Sequence, residues 1–248
     1  MWQNLRDELH EQNFELVTVG LDTLGVEGCK HFIDAANPKH PSLIDQHHVM
    51  ADLFGVVNIP SSIWIDENGI IVRPAEAAPA PPKPEQAGVG GTNMEVPTDV
   101  PERLMQMMSE AAKIPNSQAE YHAALKDWVA KGANSEFAMS PEKVLERSRP
   151  RDENSALGHA HFELGAELEM RGNHDLAIKH FRKAHELVPD SWTFRRQAWS
   201  LEKVGDGPFA RFWQGPNPEH PEDWPYEGGW LEDIKREGAE NYNDGFVP

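Results

Sequence analysis

The chain has 248 residues and a formal net charge of −18, because 41 Asp and Glu stand against 23 Lys and Arg. Such an acidic chain repels phosphate backbones, so no nucleic acid partner is expected. Cys29 is the single cysteine of the sequence. An intramolecular disulfide and a cysteine-based zinc site both need at least two thiols, so neither is expected, and a reducing compartment is the simpler interpretation.

The N-terminal residues carry no targeting pattern. The opening sequence MWQNLRDE has no basic segment followed by an apolar one. No later window approaches the roughly 18 apolar residues of a membrane span. We therefore expect a soluble, cytoplasmic protein with no membrane partner and no cofactor.

Residues 1–73 alternate between helical and strand patterns, which predicts an α/β region. In chain order we expect a helix over 2–13, a strand over 14–20, helices over 26–36 and 46–54, and strands over 62–66 and 70–73. Asn37-Pro38 ends the second helix and Gly55 ends the third. Asn68-Gly69 joins the last two strands, because this dipeptide supplies the positive φ that a tight hairpin needs.

The rest of the chain divides into a linker, a helical region and a tail. Residues 74–98 are rich in Pro and Gly and have almost nothing large and apolar to bury, so they are expected to be a linker. Over 99–204 we expect helices near 100–113, 117–131, 141–149, 155–171, 174–187 and 191–203, with capping signals at Asp99, Ser117 and Ser140-Pro141. The acidic tail, 205–248, contains Trp213, Trp224 and Trp230 and is expected to be irregular but packed.

One stretch of the helical region has the pattern of a repeat unit. Residues 158–191 match the tetratricopeptide period of about 34 residues. The matching positions are Leu164, Gly165, Leu168, Ala177, Phe181, Ala184 and Pro189. This stretch therefore resembles a single tetratricopeptide repeat (TPR), which implies two antiparallel helices in an all-α C-terminal domain.

The TPR resemblance also implies a groove that binds peptides. Its groove positions are occupied here by His159, Phe162, Ala166 and Glu169. The Lys and Asn clamp that some members use for acidic peptide C-termini is absent, so a chaperone-tail receptor is disfavoured. The alternative is that this helical array only packs against its own domain and tail, and the sequence leaves both interpretations open.

Residues 1–73 resemble the second part of a thioredoxin-like domain of the TlpA/ResA and peroxiredoxin-related kind. The similarity lies in the strand 14–20, in Pro41–Asp45, in Leu53–Val56 and in Asn58–Ile71. It implies a cis peptide bond at Ile59-Pro60, whose backbone, with Ser61, meets the substrate chain. The expected fold class is therefore an incomplete thioredoxin-like α/β part followed by the TPR-like helical domain.

The chemistry of that family is missing from this sequence. Its redox thiolate lies at the start of the first helix, usually as Cys-x-x-Cys, and Trp2, Gln3, Asn4 and Leu5 contain no cysteine. The family strand that precedes this helix is missing as well. We consider three explanations: an upstream segment that carries the strand, a partner that donates one, or a sheet that has closed up. The first is favoured, because Met1 falls inside a family element.

Other candidate sites are weaker. Cys29, beside Lys30 and His31, is interpreted as an ordinary thiol rather than a catalytic one, because it is not at the family's nucleophile position. A second set of side chains contains residue types that can bind a metal ion: His40, Asp45, His47, His48 and Asp52. Adjacent helical histidines point about 100° apart, so no metal site is expected there. If a pocket exists, the helix over 191–203, the repeat and the Trp-rich tail are where we expect it.

The sequence therefore favours a protein-interaction module related to redox proteins, with a protein or peptide as its partner. The alternative is a fragment or subunit of a thiol-disulfide oxidoreductase or peroxide-reducing enzyme whose cysteines lie upstream or on a partner. A third possibility is structural, with the thioredoxin-like part serving as a packing platform.

Overall fold

The structure, a computed structural model, describes residues 2–78, 100–148, 151–202, 213–243 and 246. It is a mixed α/β protein with a large helical portion. The strands are β1 (Thr18–Leu21), β2 (Ser42–Asp45), β3 (Ser61–Ile65) and β4 (Ile71–Ala77). The α-helices are α1 (Trp2–Leu9), α2 (Val26–Ala36), α3 (Val49–Phe54), α4 (Glu102–Ala111), α5 (Gln118–Lys131), α6 (Pro141–Arg147), α7 (Glu153–Met170), α8 (His174–Leu187), α9 (Trp192–Leu201) and α10 (Trp230–Glu237).

The four strands form two separate two-stranded sheets. β1 and β2 are parallel, with Thr18 opposite Ser42 and Leu21 opposite Asp45. β3 and β4 are antiparallel and are joined by the predicted hairpin, in which Gly69 has a φ of 79°. Among the described residues β1 and β3 do not pair with each other, which is not what the considered alternative of a closed-up sheet predicts.

The predicted linker begins later than the sequence suggested. Ala77 pairs with Ser61, so residues 74–77 belong to β4. Pro74 is tolerated there because the register shifts between the pairs Trp64–Arg73 and Ser62–Glu76, and a proline without an N–H fits at such an irregularity. Residues 79–98 of the predicted linker lie outside the described residues.

Two other boundaries in the α/β part differ from prediction. Helix α3 begins at Val49 rather than near residue 46, because His48 has a φ of 56° and the Asp45 carboxylate accepts hydrogen bonds from the amides of Val49 and Met50 at 2.9 and 2.8 Å. The strand 14–20 is shorter than expected and starts at Thr18, while Glu15 pairs with Arg6 at 3.0 Å instead.

The six predicted helices of the C-terminal half are all present. The Ser140 cap is confirmed, because its hydroxyl accepts from the Lys143 amide at 3.3 Å. Ser117 does not cap α5, since its hydroxyl accepts from the Phe246 amide at 3.3 Å. Asp99 lies outside the described residues. The tail is less irregular than predicted: it contains α10, whose acidic first turn and basic last turn suit the helix dipole.

Two apolar clusters hold the molecule together. One lies between α7, α8 and α9 and takes Tyr226, Trp230 and Tyr242 from the tail. The other combines α1, β3 and α5 with Phe246. The second cluster therefore draws its residues from both halves of the chain. None of the helices in the described ranges has the length and apolar character needed to cross a bilayer.

Candidate functional site

The loop between α3 and β3 contains the predicted Ile59-Pro60-Ser61 site. The Ile59-Pro60 peptide bond is cis, as predicted. The Ile59 side chain is 38% exposed, whereas Asn58 is buried. Asn58 holds the loop from both sides: its Nδ2 donates to the Tyr242 carbonyl at 2.8 Å, and its Oδ1 accepts from the Ile59 amide at 2.9 Å. The loop therefore presents an apolar side chain on a fixed backbone.

Helix α9 supports the same loop from the helical half. The amide of Thr193 donates to the Val57 carbonyl at 3.0 Å, and its hydroxyl donates to the Val56 carbonyl at 3.3 Å. The next residue, Phe194, stacks on Phe162 with the ring centroids 4.2 Å apart. The first turn of α9 thus brings together the predicted Ile59-Pro60 site and the predicted repeat groove.

The predicted groove residues of the repeat are covered by this chain's own side chains. Phe162 and Ala166 are only 1% and 3% exposed. The His159 ring lies 4.8 Å from that of Phe194. The Glu169 carboxylate contacts His174 Nδ1 at 2.7 Å. The sequence left two interpretations of these four positions, peptide binding and packing within the chain. In the structure the four side chains pack against this chain's own residues.

A small polar cluster lies where α3 meets α7. Asp52 pairs with His159 and, at 2.5 Å, with Arg151. Burial lowers the pKa of His159, with Arg151 acting in the same direction and Asp52 against it. His48 is buried, which lowers its pKa, and its Nε2 lies 3.1 Å from Gln197 Oε1. The cavity lined by His48, Asp52 and His159 has room for only about one water molecule, so the cluster joins two helices rather than holding a substrate.

Cys29 lies in the middle of the packing between α2 and β1. It is 8% exposed, and a Cβ added to Gly20 would come within 2.9 Å of its sulfur. A reactive cysteine needs access to solvent and to its substrate, so this position favours a structural thiol. Within the described ranges, no three His, Cys, Asp or Glu side chains come together as a metal site.

One cavity of the described structure lies away from α9 and the repeat, where the sequence predicted a pocket. It has a volume of about 520 Å³ and lies between α4, α10 and the segment 213–221. Arg103 lines it, but this guanidinium already binds Glu232 at 2.5 and 2.9 Å and lies 5.6 Å from the Trp213 ring. Its charge is therefore balanced within the chain.

Another candidate surface is the edge of β1 that pairs with no described strand, together with the sheet face beside it. Along the described chain, β1 pairs with β2 alone and β3 with β4 alone. Side chains alternate between the two faces of a strand. Gly20 faces α2, so Val17 and Val19 lie on the other face, where Leu43 of β2 is the neighbour of Val19. Val17 and Leu43 are 49% and 47% exposed.

Exposed apolar residues concentrate in this half of the molecule. Of the seventeen large apolar residues exposed in the described parts, eleven lie between positions 17 and 70. The members nearest β1, β3 and the loop between α3 and β3 are Val17, Leu43, Leu53, Val57, Ile59 and Ile65. Scattered exposed apolar residues need no explanation, but a concentration of them indicates an interaction site.

Sequence reasoning did not identify Asn58, Thr193 or the exposed β1 face as parts of a site. The contacts of Asn58 and Thr193 join positions more than a hundred residues apart, so no local pattern could indicate them. The exposed face of β1 had one signal in the sequence: Val17 and Val19 stand two positions apart, which places them on the same face of a strand. Comparison with family models, with curated proteins and with solved structures finds no match for this chain.

Proposed function

We propose that this chain is a protein-interaction module that binds an extended segment of a partner protein along the free edge of β1. The observation that carries the proposal is a strand edge with which no described strand pairs, combined with exposed Val17 and Leu43 on one face. A peptide added to such an edge gains main-chain hydrogen bonds, and alternate side chains of the peptide reach the apolar face.

The sequence of β1 lacks the residue types that usually prevent strand addition. Its four residues, Thr-Val-Gly-Leu, include no charged residue and no proline. Natural edge strands are normally protected by lysine, proline, a bulge or a covering element. A strand edge without lysine or proline, beside exposed apolar side chains, therefore supports the binding of a partner strand.

The charge of the chain indicates which segment would bind. With a net charge of −18, the chain attracts basic partners from a distance and repels acidic ones. We therefore propose an extended segment with apolar residues at alternate positions and Lys or Arg at its ends. In this proposal the α/β part is an incomplete thioredoxin-like domain and the α7–α8 unit is TPR-like.

A second candidate function uses the same edge. In it, the chain is a subunit of a thiol-disulfide oxidoreductase or peroxide-reducing enzyme, and the partner supplies the thiols because Cys29 is buried. The exposed Ile59 side chain, held by Asn58, favours this candidate, since the thioredoxin-like resemblance implies that this loop meets the substrate chain.

The experiment that tests the proposal is selection of peptides on the purified chain from a displayed library. We expect selected peptides to have alternating apolar residues with basic ends, and to slow hydrogen exchange at residues 17–21. Two peptides are then compared, one N-methylated at the odd-numbered amides and one at the even-numbered amides. Only one of these two sets faces β1, so one of the two peptides should bind at least tenfold more weakly because it has lost its main-chain donors.

Val17→Lys supplies the matched variant. It places a charge on the exposed apolar face and should weaken binding at least tenfold, because the charge loses its hydration when the peptide covers it. Leu145→Lys is the control, since Leu145 is 73% exposed on α6 and its change should leave binding intact. Protection that maps outside β1, or affinity unaffected by N-methylation, would contradict strand addition. A second experiment distinguishes the enzyme candidate from the interaction module. The chain is mixed with a dithiol-containing peptide and peroxide, and only the enzyme candidate predicts that peroxide is consumed in multiple turnovers.

A further inference from the structure

A polar joint connects the α/β part of the chain to the helical half. The loop between β1 and α2, helix α3 and the loop after it lie on one side, and α7 and α9 lie on the other. The Gln197 Oε1 atom accepts two hydrogen bonds there, one from the Thr23 amide at 3.0 Å and one from His48 Nε2 at 3.1 Å. The Thr193 amide donates to the Val57 carbonyl at 3.0 Å. Hydrogen bonds between distant segments therefore hold this joint closed.

His48 is buried in the joint with one ring nitrogen unused. The residue is 5% exposed, and its ring packs edge-on against Phe162 with the centroids 4.9 Å apart. Its Nε2 carries a hydrogen, because the Gln197 oxygen that it contacts also accepts from a backbone amide. Its Nδ1 is buried, and no described atom of the chain forms a hydrogen bond with it. The closed joint therefore fits the neutral ring and offers no acceptor for a second ring hydrogen.

The charges around His48 do not offset its burial. Burial lowers the pKa of His48. The contact with Gln197 and the carboxylates of Asp45 and Asp22 act against this shift, and the neighbouring His47 acts with it. The ring is therefore harder to protonate in the closed joint than in water.

His159 on α7 is the second histidine of the joint. It contacts the Asp52 carboxylate, which Arg151 also binds, and Glu163 is the remaining charged residue that lines the small cavity beside them. Burial lowers the pKa of His159 as well, with Asp52 acting against this shift and Arg151 with it. Acid therefore acts on both histidines in the same direction, but His159 has a carboxylate beside it and His48 Nδ1 has no acceptor.

We propose that this joint is an acid-sensitive hinge, which opens when His48 takes up a proton. The proton adds an N–H group at a nitrogen that has no acceptor in the closed joint, and a buried donor without a partner is destabilising. In the open state the charged ring is hydrated. Opening also uncovers one side of the Phe162 ring, which is 1% exposed in the closed joint. This device goes beyond the proposed binding of an extended segment at β1.

The expected size of the effect follows from the two protonation equilibria. In the open state His48 has an ordinary histidine pKa of about 6.5. The closed joint excludes the proton, so its advantage over the open state is complete above that pH and is lost as the pH falls. Between pH 7 and pH 5 the ratio of open to closed molecules should therefore rise by up to about 25-fold.

The test measures amide hydrogen exchange of the full chain at pH 7 and pH 5, corrected for the intrinsic pH dependence of exchange. The amides of Thr23 and Thr193 donate across the joint, so their protection reports its closure. The Ala184 amide, inside α8, reports global unfolding. We expect the protection of Thr23 and Thr193 to fall at least tenfold more than that of Ala184. Equal changes at all three amides would overturn the proposal.

The variant His48→Asn decides whether this residue is responsible. Asn does not titrate between pH 5 and pH 7, and it tolerates the positive φ of 56° at this position. The additional fall in protection at Thr23 and Thr193 should shrink at least fivefold. His47→Asn is the matched control, because His47 is adjacent and exposed, and it should keep the additional fall. A fall that persists in His48→Asn, or one that His47→Asn also removes, would contradict the hinge.

A measurement on the unaltered chain covers the case in which His48→Asn does not fold. The ring signals of His48 are followed by NMR between pH 7.5 and pH 4.5. We expect the ring to titrate below the ordinary histidine value, in step with the loss of protection at Thr23 and Thr193. Titration at the ordinary value, with both amides still protected, would show that the closed joint accepts the proton, and the proposal would be wrong.

Discussion

The Asn58 side chain donates a 2.8 Å hydrogen bond to the backbone carbonyl of Tyr242, 184 positions further along the chain. Asn58 immediately precedes the Ile59-Pro60 bond, and Tyr242 belongs to the apolar cluster of the helical half. The loop between α3 and β3 is therefore bound to a segment near the C-terminal end of the sequence. Stability of the helical half and geometry of the loop should change together.

Replacing Asn58 by Ala should lower the free energy of unfolding by about 1–3 kcal/mol, because the Ile59 amide and the Tyr242 carbonyl then lose their partner. The measurement is urea unfolding followed by tryptophan fluorescence. Asn134→Ala is the control: Asn134 is exposed, and its replacement should change the stability by less than about 0.5 kcal/mol. Equal effects of the two variants would show that the loop is not held through Asn58.

The buried ion pair of β4 provides a second prediction. Arg73 Nε and Glu76 Oε1 are 2.6 Å apart, with side chains 1% and 2% exposed, and the guanidinium lies 4.5 Å from the Phe246 ring. Glu76→Gln leaves a buried charge without its counter-charge and should cost about 3–5 kcal/mol of unfolding free energy.

The exposed pair of Lys30 and Asp34 on α2 is the control for the Glu76 prediction. Its atoms are also 2.6 Å apart, but both side chains are more than half exposed. Asp34→Asn should therefore change the stability by less than about 1 kcal/mol. If Glu76→Gln costs no more than Asp34→Asn in urea unfolding, burial does not control the strength of the Arg73 pair.

Local signals predicted the helices well, because caps, breakers and apolar spacing act within a few residues. Ser140-Pro141 is such a signal, and α6 begins at Pro141 as expected. Ser117 shows where such reasoning fails: its hydroxyl is taken by Phe246, 129 positions away. The sequence around Ser117 contains nothing that indicates this competitor.

The candidate site could be predicted only in part. The Ile59-Pro60 bond followed from the family resemblance, and it is cis. The groove positions Phe162 and Ala166 are buried instead, because Phe194 of α9 packs against this face. Sequence spacing indicates which residues share a helix face, but it does not indicate which element covers that face. The open face of β1 was missed for the same reason.

The close approach of α7 and α8 at Gly165 leads to a third prediction. A Cβ added to Gly165 would come within 2.8 Å of the Phe181 ring, and Phe181 is 1% exposed in the apolar cluster. Gly165→Ala should therefore cost about 1–3 kcal/mol by forcing the helices apart, although Ala is the better helix former. Thermal unfolding measures this cost. In the double variant with Phe181→Leu, the loss of unfolding free energy should be smaller than the sum of the two single losses, because the smaller side chain makes room for the new methyl group. If the two losses simply add, the strain does not arise between Gly165 and Phe181.

The stability of the protein should depend on pH through His185. Its ring packs beside Tyr226, its Nε2 is buried, and burial lowers its pKa to about 4. An ordinary histidine pKa is about 6.5, so the unfolded chain binds a proton here more readily than the folded one. The contribution of His185 is complete above about pH 6.5 and is lost as the pH falls toward 4, by up to about 3 kcal/mol. His185→Phe should reduce the slope of the unfolding free energy against pH, measured by urea unfolding between pH 4.5 and pH 7. His220→Phe is the control and should leave that slope unchanged. An unaltered slope in His185→Phe would contradict the assignment to His185.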